Sequence, residues 1–322
     1  MYRIHANDGI DATGKAALEQ LGCVVSTDKI PQHELSAYLE ANQVQGLLVR
    51  SATTARQDFI DQCPTLRFIG RGGVGIDNID AAYAREKGLV VFNTPAASSQ
   101  AVAELVMSHV FAAARGLYLS GGTMPGQGQA EFESLKKSLS KGMELRGKTM
   151  GIIGFGRIGQ SLASYALGCG MHVIATDQMM SDSCGITLSV AGQPVIVQVP
   201  IVPLNDLLAQ AHVVSVHVPK QKDGSAVLGL NELTLMRKGS IVVNTSRGGV
   251  IDEDALLQKL NDGHLRVACL DVFVGEPSPR QDLLQHPAVI ATPHIGASTA
   301  EAQERIGLEI AQQVKSLMDK HA

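Results

Sequence analysis

The stretch that decides the fold is TMGIIGFGRIGQ, residues 149–160. An apolar, strand-like run leads into Gly154, Gly156 and Gly159, which have the G-x-G-x-x-G spacing, and a helix-compatible segment follows. In a strand–turn–helix unit such glycines allow a tight turn, close approach of the backbone to a pyrophosphate, and close packing of helix on strand. The next strand-like run ends in Asp177, 18 residues after Gly159. A carboxylate there can accept hydrogen bonds from the adenosine ribose and repels a 2′-phosphate, so the stretch predicts a site for NAD rather than NADP.

Short apolar runs alternate with helix-compatible segments along nearly the whole chain. Near-continuous Val/Ile runs separated by helices are typical of parallel sheets that are covered on both faces. The runs are GLLVR (46–50), LRFIG (66–70), LVVFN (89–93), TMGIIGFG (149–156), HVIATD (172–177), HVVSVHV (212–218), SIVVNTS (240–246), VACLDVF (267–273) and AVIATP (288–293). The pattern predicts an α/β protein of the doubly wound kind.

Two strand–helix blocks flank a region rich in Gly and Lys at 121–142, which a long helix-compatible stretch at 99–116 precedes. The 322 residues suggest two domains at about 150 residues each. Near the other end, Ser298 and Glu301 form an S-x-x-E capping box ahead of a segment with apolar residues on one helical face. We expect this last helix to dock onto the protein.

Composition excludes several classes of protein. Apolar residues make up 45% of the chain, charged residues 18%, and the net charge is −4, which argues against disorder and against a broad basic surface for nucleic acid. The N-terminus has no apolar secretory segment, and no apolar stretch approaches the ~18 residues of a membrane span. Five scattered cysteines without a CxxC pair predict reduced thiols, a cytoplasmic location and no metal site.

Three further segments each follow an apolar run and carry reactive side chains: NTSRGGVIDEDAL (244–256), LDVFVGEP (270–277) and TPHIGAST (292–299). They supply Arg247, Glu276 and His294. A histidine can move a proton near neutral pH, a carboxylate can orient it and favour its charged form, and an arginine can polarise a carbonyl and bind a carboxylate. Alone, each residue also fits a structural role, as a turn histidine, a surface ion pair or a solvated charge. Together with the nucleotide site they predict hydride transfer on a 2-hydroxy or 2-keto acid.

Seven motifs carry a resemblance that covers nearly the whole chain: LLVRSATT, IGRGGVGIDNID, NTPAASSQAVAELV, ELRGKTMGIIGFGRIGQ, NTSRGGVID, LDVFVGEP and TPHIGAST. The chain resembles the D-isomer-specific 2-hydroxyacid dehydrogenases. VRSATT and GRGGVGIDNID are most similar to the members that act on D-3-phosphoglycerate. The resemblance implies NAD-dependent oxidation of D-3-phosphoglycerate to 3-phosphohydroxypyruvate, the first step of serine biosynthesis, with Arg247, Glu276 and His294 as the catalytic trio.

The resemblance also implies ligand contacts. The expected NAD contacts are Gly154, Gly156, Arg157, Ile158, Gly159, Asp177, Val218, Thr245, Ser246, Arg247, Asp271, His294, Gly296 and Ala297. The expected substrate contacts are Arg50, Ser51, Arg71, Gly73, Val74 and Gly75. The amides of the last three would bind the substrate carboxylate, and the two arginines are the candidates for its phosphate.

The family architecture implies a flavodoxin-like substrate domain, formed by residues 1–98 and 297–322, and a Rossmann NAD-binding domain at 99–296. It also implies a homodimer with residues 99–142 at the subunit contact. One departure is the segment 185–200, whose alternation around Ala191 and Gly192 predicts a two-stranded hairpin.

Two other functions remain open on the sequence. One is a dehydrogenase of the same family that acts on hydroxypyruvate, glyoxylate or D-lactate. The other is a non-catalytic module that senses NAD.

Overall fold

The computed structural model describes residues 2–320, which form two compact units. The first unit combines the residues up to Ala101 with those from Ala297 onward. The second unit is the continuous segment Val102–Gly296. Both contain a parallel sheet with helices on its faces, which confirms the predicted α/β class and its two doubly wound sheets.

The first unit is built on a five-stranded parallel sheet with the order β2-β1-β3-β4-β5. Its strands are β1 (Arg3–Ala6), β2 (Val24–Ser26), β3 (Gly46–Val49), β4 (Phe68–Arg71) and β5 (Val90–Asn93). Its first four helices are α1 (Ala12–Gln20), α2 (Gln32–Ala41), α3 (Gln57–Asp61) and α4 (Ala81–Glu86). Successive residues along β3 belong to opposite cores, with Leu47 in one apolar cluster and Leu48 in the other. Burial on both faces explains why these strands are apolar without alternation.

The second unit is built on a six-stranded parallel sheet. Its helices are α5 (Ser99–Arg115), α6 (Leu117–Gln127), α7 (Phe132–Ser138), α8 (Arg157–Gly168), α9 (Leu204–Gln210), α10 (Leu230–Leu235), α11 (Glu253–Asn261) and α12 (Gln281–Leu284). The strands of this sheet are β6 (Thr149–Ile153), β7 (His172–Thr176), β10 (Val213–Val216), β11 (Ser240–Asn244), β12 (Leu265–Leu270) and β13 (Val289–Ala291). Two further strands, β8 (Ser183–Val190) and β9 (Gln193–Pro200), pair only with each other. The sheet order is β7-β6-β10-β11-β12-β13, so the direction of winding reverses between β6 and β10. Ligands bind open parallel sheets at such a reversal.

The predicted hairpin is present as the antiparallel pair β8 and β9. Ala191 and Gly192 join the strands with φ of +50° and +80°, the left-handed pair typical of a tight hairpin turn. The base of the hairpin packs into the core through Ile186 and Val199, and Ile201 just beyond it bridges β7 in parallel. The hairpin therefore lies beside the edge strand β7.

The last helix, α13 (Ala300–Lys320), docks onto the first unit as predicted, through Ile306, Ile310 and Val314. Its capping residue differs from the prediction: the Oγ1 of Thr299, not Ser298, accepts the hydrogen bond from the amide of Ala302 at 3.1 Å. Serine and threonine both serve as N-caps, so the course of the backbone decides between Ser298 and Thr299.

The docking of α13 on α1 depends on two glycines. A Cβ placed on Gly14 would lie 2.4 Å from the Cα of Gly307, and a Cβ on Gly307 would lie 2.8 Å from the Cα of Gly14. The two helix backbones therefore touch directly, and no larger residue fits at either position without moving them apart.

No single described helix is long and apolar enough to cross a membrane, although α5 and α6, bent by 61° relative to each other, pass that test as a pair.

We expect Gly307→Ala to destabilise the protein, although alanine is the better helix former by about 0.5–1 kcal/mol. Overpacking against α1 should cost about 1–3 kcal/mol and outweigh the gain. The matched control is Gly121→Ala in α6, where a Cβ would meet no described atom within 4 Å. Urea denaturation of both variants measures the difference. A Gly307→Ala protein as stable as the control would contradict direct backbone contact.

Candidate active site

The turn after β6 has open space where a pyrophosphate would bind. A Cβ on Gly159 would lie 2.4 Å from the carbonyl oxygen of Gly154, so α8 begins in direct contact with the turn. A Cβ on Gly156 would meet no described atom within 4 Å, and the N-terminus of α8 has no side-chain cap among the residues that the structure describes. The first amides of α8 are thus left for a ligand, and helix N-termini favour anions.

Asp177 follows β7 and joins two backbone segments. Its Oδ2 accepts a hydrogen bond from the amide of Phe155 at 2.7 Å, and its Oδ1 accepts one from the amide of Met179 at 2.8 Å. Each carboxylate oxygen can accept a further hydrogen bond, so the half-buried side chain still fits the predicted ribose contact. Asp177 therefore also holds the glycine-rich turn in place.

Two buried polar atoms at the carboxyl ends of β10 and β11 lack hydrogen-bond partners among the described residues. They are the Nδ1 of His217, just after β10, and the Oγ1 of Thr245, just after β11. These residues are adjacent because Val216 pairs with Asn244. Buried polar atoms are ordinarily hydrogen-bonded, so unpaired ones at this edge fit a bound NAD.

His217 was not among the predicted site residues. Its Nε2 lies 2.9 Å from the Oγ of Ser215, and burial lowers the pKa of His217 to about 4, so the ring is neutral at physiological pH. Its carbonyl oxygen lies 2.7 Å from the position of a Cβ on Gly154, which places it beside the nucleotide turn. The one available sequence signal was a histidine near the end of the apolar run HVVSVHV, one residue before Val218.

Arg247 lies in a turn held by Asn244, the last residue of β11. The amide nitrogen of the Asn244 side chain donates to the carbonyl oxygen of Arg247 at 2.9 Å, and its oxygen accepts from the amide and hydroxyl of Ser246 at 3.0 and 2.7 Å. The guanidinium of Arg247 donates to the carbonyl oxygen of Ser246 at 2.6 Å. Asn244 is buried and was also missed, because its partners are mainly backbone groups that leave no mark in the sequence.

Glu276 and His294 are in direct contact. The Nδ1 of His294 lies 2.8 Å from one oxygen of Glu276, and the other oxygen accepts from the amide of Phe273 at 2.8 Å. An ionised carboxylate only accepts, so Nδ1 carries the hydrogen and Nε2 is left to exchange a proton. The side chains are 36% and 34% exposed, so both can reach a ligand.

Asp271 follows β12, and its buried carboxylate binds groups of the segment 292–296. It accepts hydrogen bonds from the hydroxyl of Thr292 at 2.6 Å and from the amides of Ile295 and Gly296 at 2.8 Å each. Predicted as an NAD contact, this residue holds the segment around His294.

The remaining predicted NAD contacts lie on the same structural elements. Arg157 and Ile158 open α8, and Val218 follows His217 after β10. Gly296 is the last residue of the second unit, and Ala297 begins the second segment of the first unit. No group of His, Cys, Asp or Glu suited to a metal ion occurs among the described residues.

The predicted substrate residues lie in the first unit, at the carboxyl ends of β3 and β4. Val49 pairs with Arg71, so Arg50 and Arg71 stand on adjacent strand ends, both half-buried. The amide of Gly73 donates to the hydroxyl of Thr94 at 2.7 Å, which ties the segment of Gly73, Val74 and Gly75 to the end of β5. Ser51 and Val74 are exposed.

An aspartate that sequence reasoning missed holds the Arg50 segment. The carboxylate of Asp8, after β1, accepts from the amides of Arg50 and Thr53 at 2.7 and 3.0 Å, and from the hydroxyl of Thr53 and the Nζ of Lys29 at 2.7 and 2.6 Å. Burial disfavours the charge of Asp8, but these hydrogen bonds outweigh burial and hold the pKa of Asp8 below its ordinary value of 3.8. The pair β1 and β3 is the point at which the winding of this sheet reverses.

Comparison with known proteins gives consistent matches. The family model described as "D-isomer specific 2-hydroxyacid dehydrogenase, NAD binding domain" matches residues 107–296. The hydroxypyruvate reductase of Thermotoga maritima is 40% identical over 319 residues, which cover 97% of each chain. The D-3-phosphoglycerate dehydrogenase of Methanocaldococcus jannaschii is 37% identical over 322 residues, which are 99% of this chain and 58% of the relative.

Among solved structures, the TT0316 protein from Thermus thermophilus superposes with a TM-score of 0.79 at 30% identity, covering 96% of this chain and 94% of the other.

We expect Asp8→Asn to lower the free energy of unfolding at pH 7 by about 1–3 kcal/mol, because buried amides lose a charged acceptor. Since the pKa of Asp8 is depressed in the folded state, its contribution is present above pH 3.8 and is lost as pH falls through the folded pKa. The gap between wild type and variant should therefore close in acid. Denaturant unfolding from pH 7 to pH 3 measures it, with exposed Asp58→Asn as the control; a gap independent of pH would contradict the assignment.

Proposed function

The chain belongs to the family of D-isomer-specific 2-hydroxyacid dehydrogenases, and from that membership we propose that it oxidises D-3-phosphoglycerate to 3-phosphohydroxypyruvate with NAD. The NAD-dependent chemistry belongs to the family, whereas the substrate and the residue roles are part of the proposal. The observation that carries the proposed catalytic centre is the contact of 2.8 Å between Glu276 and His294.

NAD, held by the glycine-rich turn after β6 and by Asp177, would supply the acceptor for the hydride that leaves C2 of the hydroxy acid. In this direction the Nε2 of His294 takes the proton of the C2 hydroxyl group, and in the reverse direction it returns that proton to the ketone oxygen. The hydrogen bond from Nδ1 to Glu276 orients the ring and stabilises the imidazolium. We assign to Arg247 the binding of the substrate carboxylate and the polarisation of the C2 oxygen, because its planar guanidinium suits both groups.

The assignment of a phosphorylated substrate rests on Arg50 and Arg71. Two arginines on adjacent strand ends provide the charge-assisted donors that a phosphate requires. The amides around Val74 are the proposed donors to the carboxylate. We further propose that Asp8 supports this recognition, because it fixes the backbone of Arg50.

A second candidate is reduction of hydroxypyruvate, which lacks the phosphate. It is favoured by the 40% identity to the Thermotoga maritima hydroxypyruvate reductase along 97% of both chains. The phosphoglycerate relatives share less of their own length with this chain. Comparison of the two substrates in one preparation separates the candidates.

The proposal includes a homodimer formed through residues 99–142. The helix α6 in this range has no buried residue. Several large apolar side chains of the range are also exposed, as is typical of a contact surface. These exposed side chains are Phe111, Leu117, Leu119, Met124 and Phe132.

We expect His294→Ala to lower kcat by about 10²–10⁴-fold while NADH still binds, because the change removes a proton donor. Glu276→Gln should keep reduced activity, because the neutral amide can still accept the Nδ1 hydrogen and orient the ring but places no negative charge beside the imidazolium. Steady-state rates and a fluorescence titration of NADH measure both effects. Full activity in Glu276→Gln would remove the charge of that residue from its role.

We expect kcat/KM for 3-phosphohydroxypyruvate to exceed that for hydroxypyruvate by on the order of 10²–10⁴-fold, as two charge-assisted contacts imply. Arg50→Ala and Arg71→Ala should each reduce this preference. Arg67→Ala is the matched control, because it removes an exposed charge just before β4, at the other end of the strand that carries Arg71.

Equal efficiency on both substrates would favour hydroxypyruvate reduction. Absence of turnover on either, with NADH still bound, would favour a module that binds NAD without catalysis.

A further inference from the structure

The segment around His294 has a conformation that needs support. His294 has a φ of +54°, in the left-handed region that residues other than glycine rarely adopt. Its amide donates to the carbonyl oxygen of Thr292 at 3.1 Å, which closes a tight turn. A residue in this conformation persists only when its surroundings determine it.

Asp271 provides support on both sides of His294. Thr292 donates its hydroxyl hydrogen to Oδ1 of Asp271, and the amides of Ile295 and Gly296 donate to Oδ1 and Oδ2. The backbone of Asp271 is itself held, because its amide donates to the carbonyl oxygen of Asn244 at 2.9 Å. The turn is therefore held by one buried carboxylate.

A histidine far away in the sequence completes this arrangement. His109 lies on the buried face of α5 with only 3% of its surface exposed, among apolar neighbours such as Val106 and Val110. Its Nε2 lies 3.1 Å from the Oγ1 of Thr292, 183 residues away. The hydroxyl hydrogen of Thr292 is already donated to Asp271, so His109 must be the donor in this contact.

The direction of these bonds defines one chain of donors. His109 donates to Thr292, and Thr292 donates to Asp271. Burial lowers the pKa of His109, an effect that the negative charge of Asp271 only partly offsets, so the ring is neutral with its hydrogen on Nε2. A neutral donor at this position fixes the hydroxyl of Thr292 and leaves it no other orientation.

We propose that His109 is a positioning residue, which acts through Thr292 and Asp271 to hold the left-handed turn that presents His294. The functional part of this proposal rests on the role proposed for His294 above. The structural part of the proposal, that His109 keeps the turn ordered, does not depend on the role of His294.

The kinetic experiment compares five variants in reduction of the preferred 2-keto acid. His109→Leu, which removes the donor and keeps an apolar side chain, should lower kcat by about 3–10-fold, with KM and NADH affinity little changed. His109→Gln restores a neutral N–H donor and should recover most of the rate. Val110→Ala, a buried change on the same helix, should leave kcat near that of the wild type.

The last two variants, Thr292→Val and its combination with His109→Leu, test the connection through Thr292. In His109→Leu combined with Thr292→Val, kcat should fall no further than in Thr292→Val alone, because both changes remove the same chain of donors. Additive losses, or an equal loss of kcat in Val110→Ala, would overturn the proposal.

Amide hydrogen exchange tests the turn without any substrate. The amides of Ile295 and Gly296 should exchange faster in His109→Leu than in wild type, His109→Gln or Val110→Ala. Unchanged exchange in His109→Leu would overturn the positioning role even if the enzyme is active. If the wild type turns over no 2-keto acid, the proposed function fails, and the exchange result still decides whether His109 holds the turn.

Discussion

Parallel strand pairing is the constraint on which both units depend. Because all strands of a parallel sheet point the same way, the segments that follow them meet at one edge. The turn at Gly154 thereby lies next to His217, and Arg50 stands beside Arg71. The same constraint covers both faces of each sheet with helices, so that edge is where a ligand can reach the backbone. Residues far apart in the sequence become neighbours because the strands that precede them are paired in parallel.

Carboxylates hold the loops that follow the parallel strands and meet at one edge of each sheet. Asp8, Asp177, Asp271 and Glu276 each accept a hydrogen bond from at least one loop amide. A buried amide needs an acceptor, and an ionised carboxylate can serve several at once through hydrogen bonds about twice as strong as neutral ones. Most of the polar side chains beneath the predicted ligand contacts therefore serve the backbone. The side chains left to touch a ligand are presented from loops with little freedom to move.

The sequence was sufficient for the sheets, the nucleotide turn and the pair of Glu276 and His294, because apolar runs and local motifs mark them directly. It was insufficient for the anchors. Asp8 reaches Arg50 across 42 residues and His109 reaches Thr292 across 183, and neither separation leaves a periodic signal. Asp8 bonds to backbone amides, a hydroxyl and a lysine, and His109 bonds to a single hydroxyl; such groups occur throughout any sequence. The cap of the last helix shows the same limit at short range, since Ser298 and Thr299 differ only in where the backbone places them.

The touching glycines of α1 and α13 have a consequence for the newly made chain. Residues that complete one apolar cluster of the first unit, Ile306 and Val314 among them, are synthesised after the whole of Val102–Gly296. During translation the second unit is a continuous segment that can fold at once. Leu18 and its apolar neighbours stay exposed to solvent until α13 has been synthesised and covers them. The part of the protein made first is thus completed last, and in that interval its exposed apolar face is a surface for chaperones and a risk of aggregation.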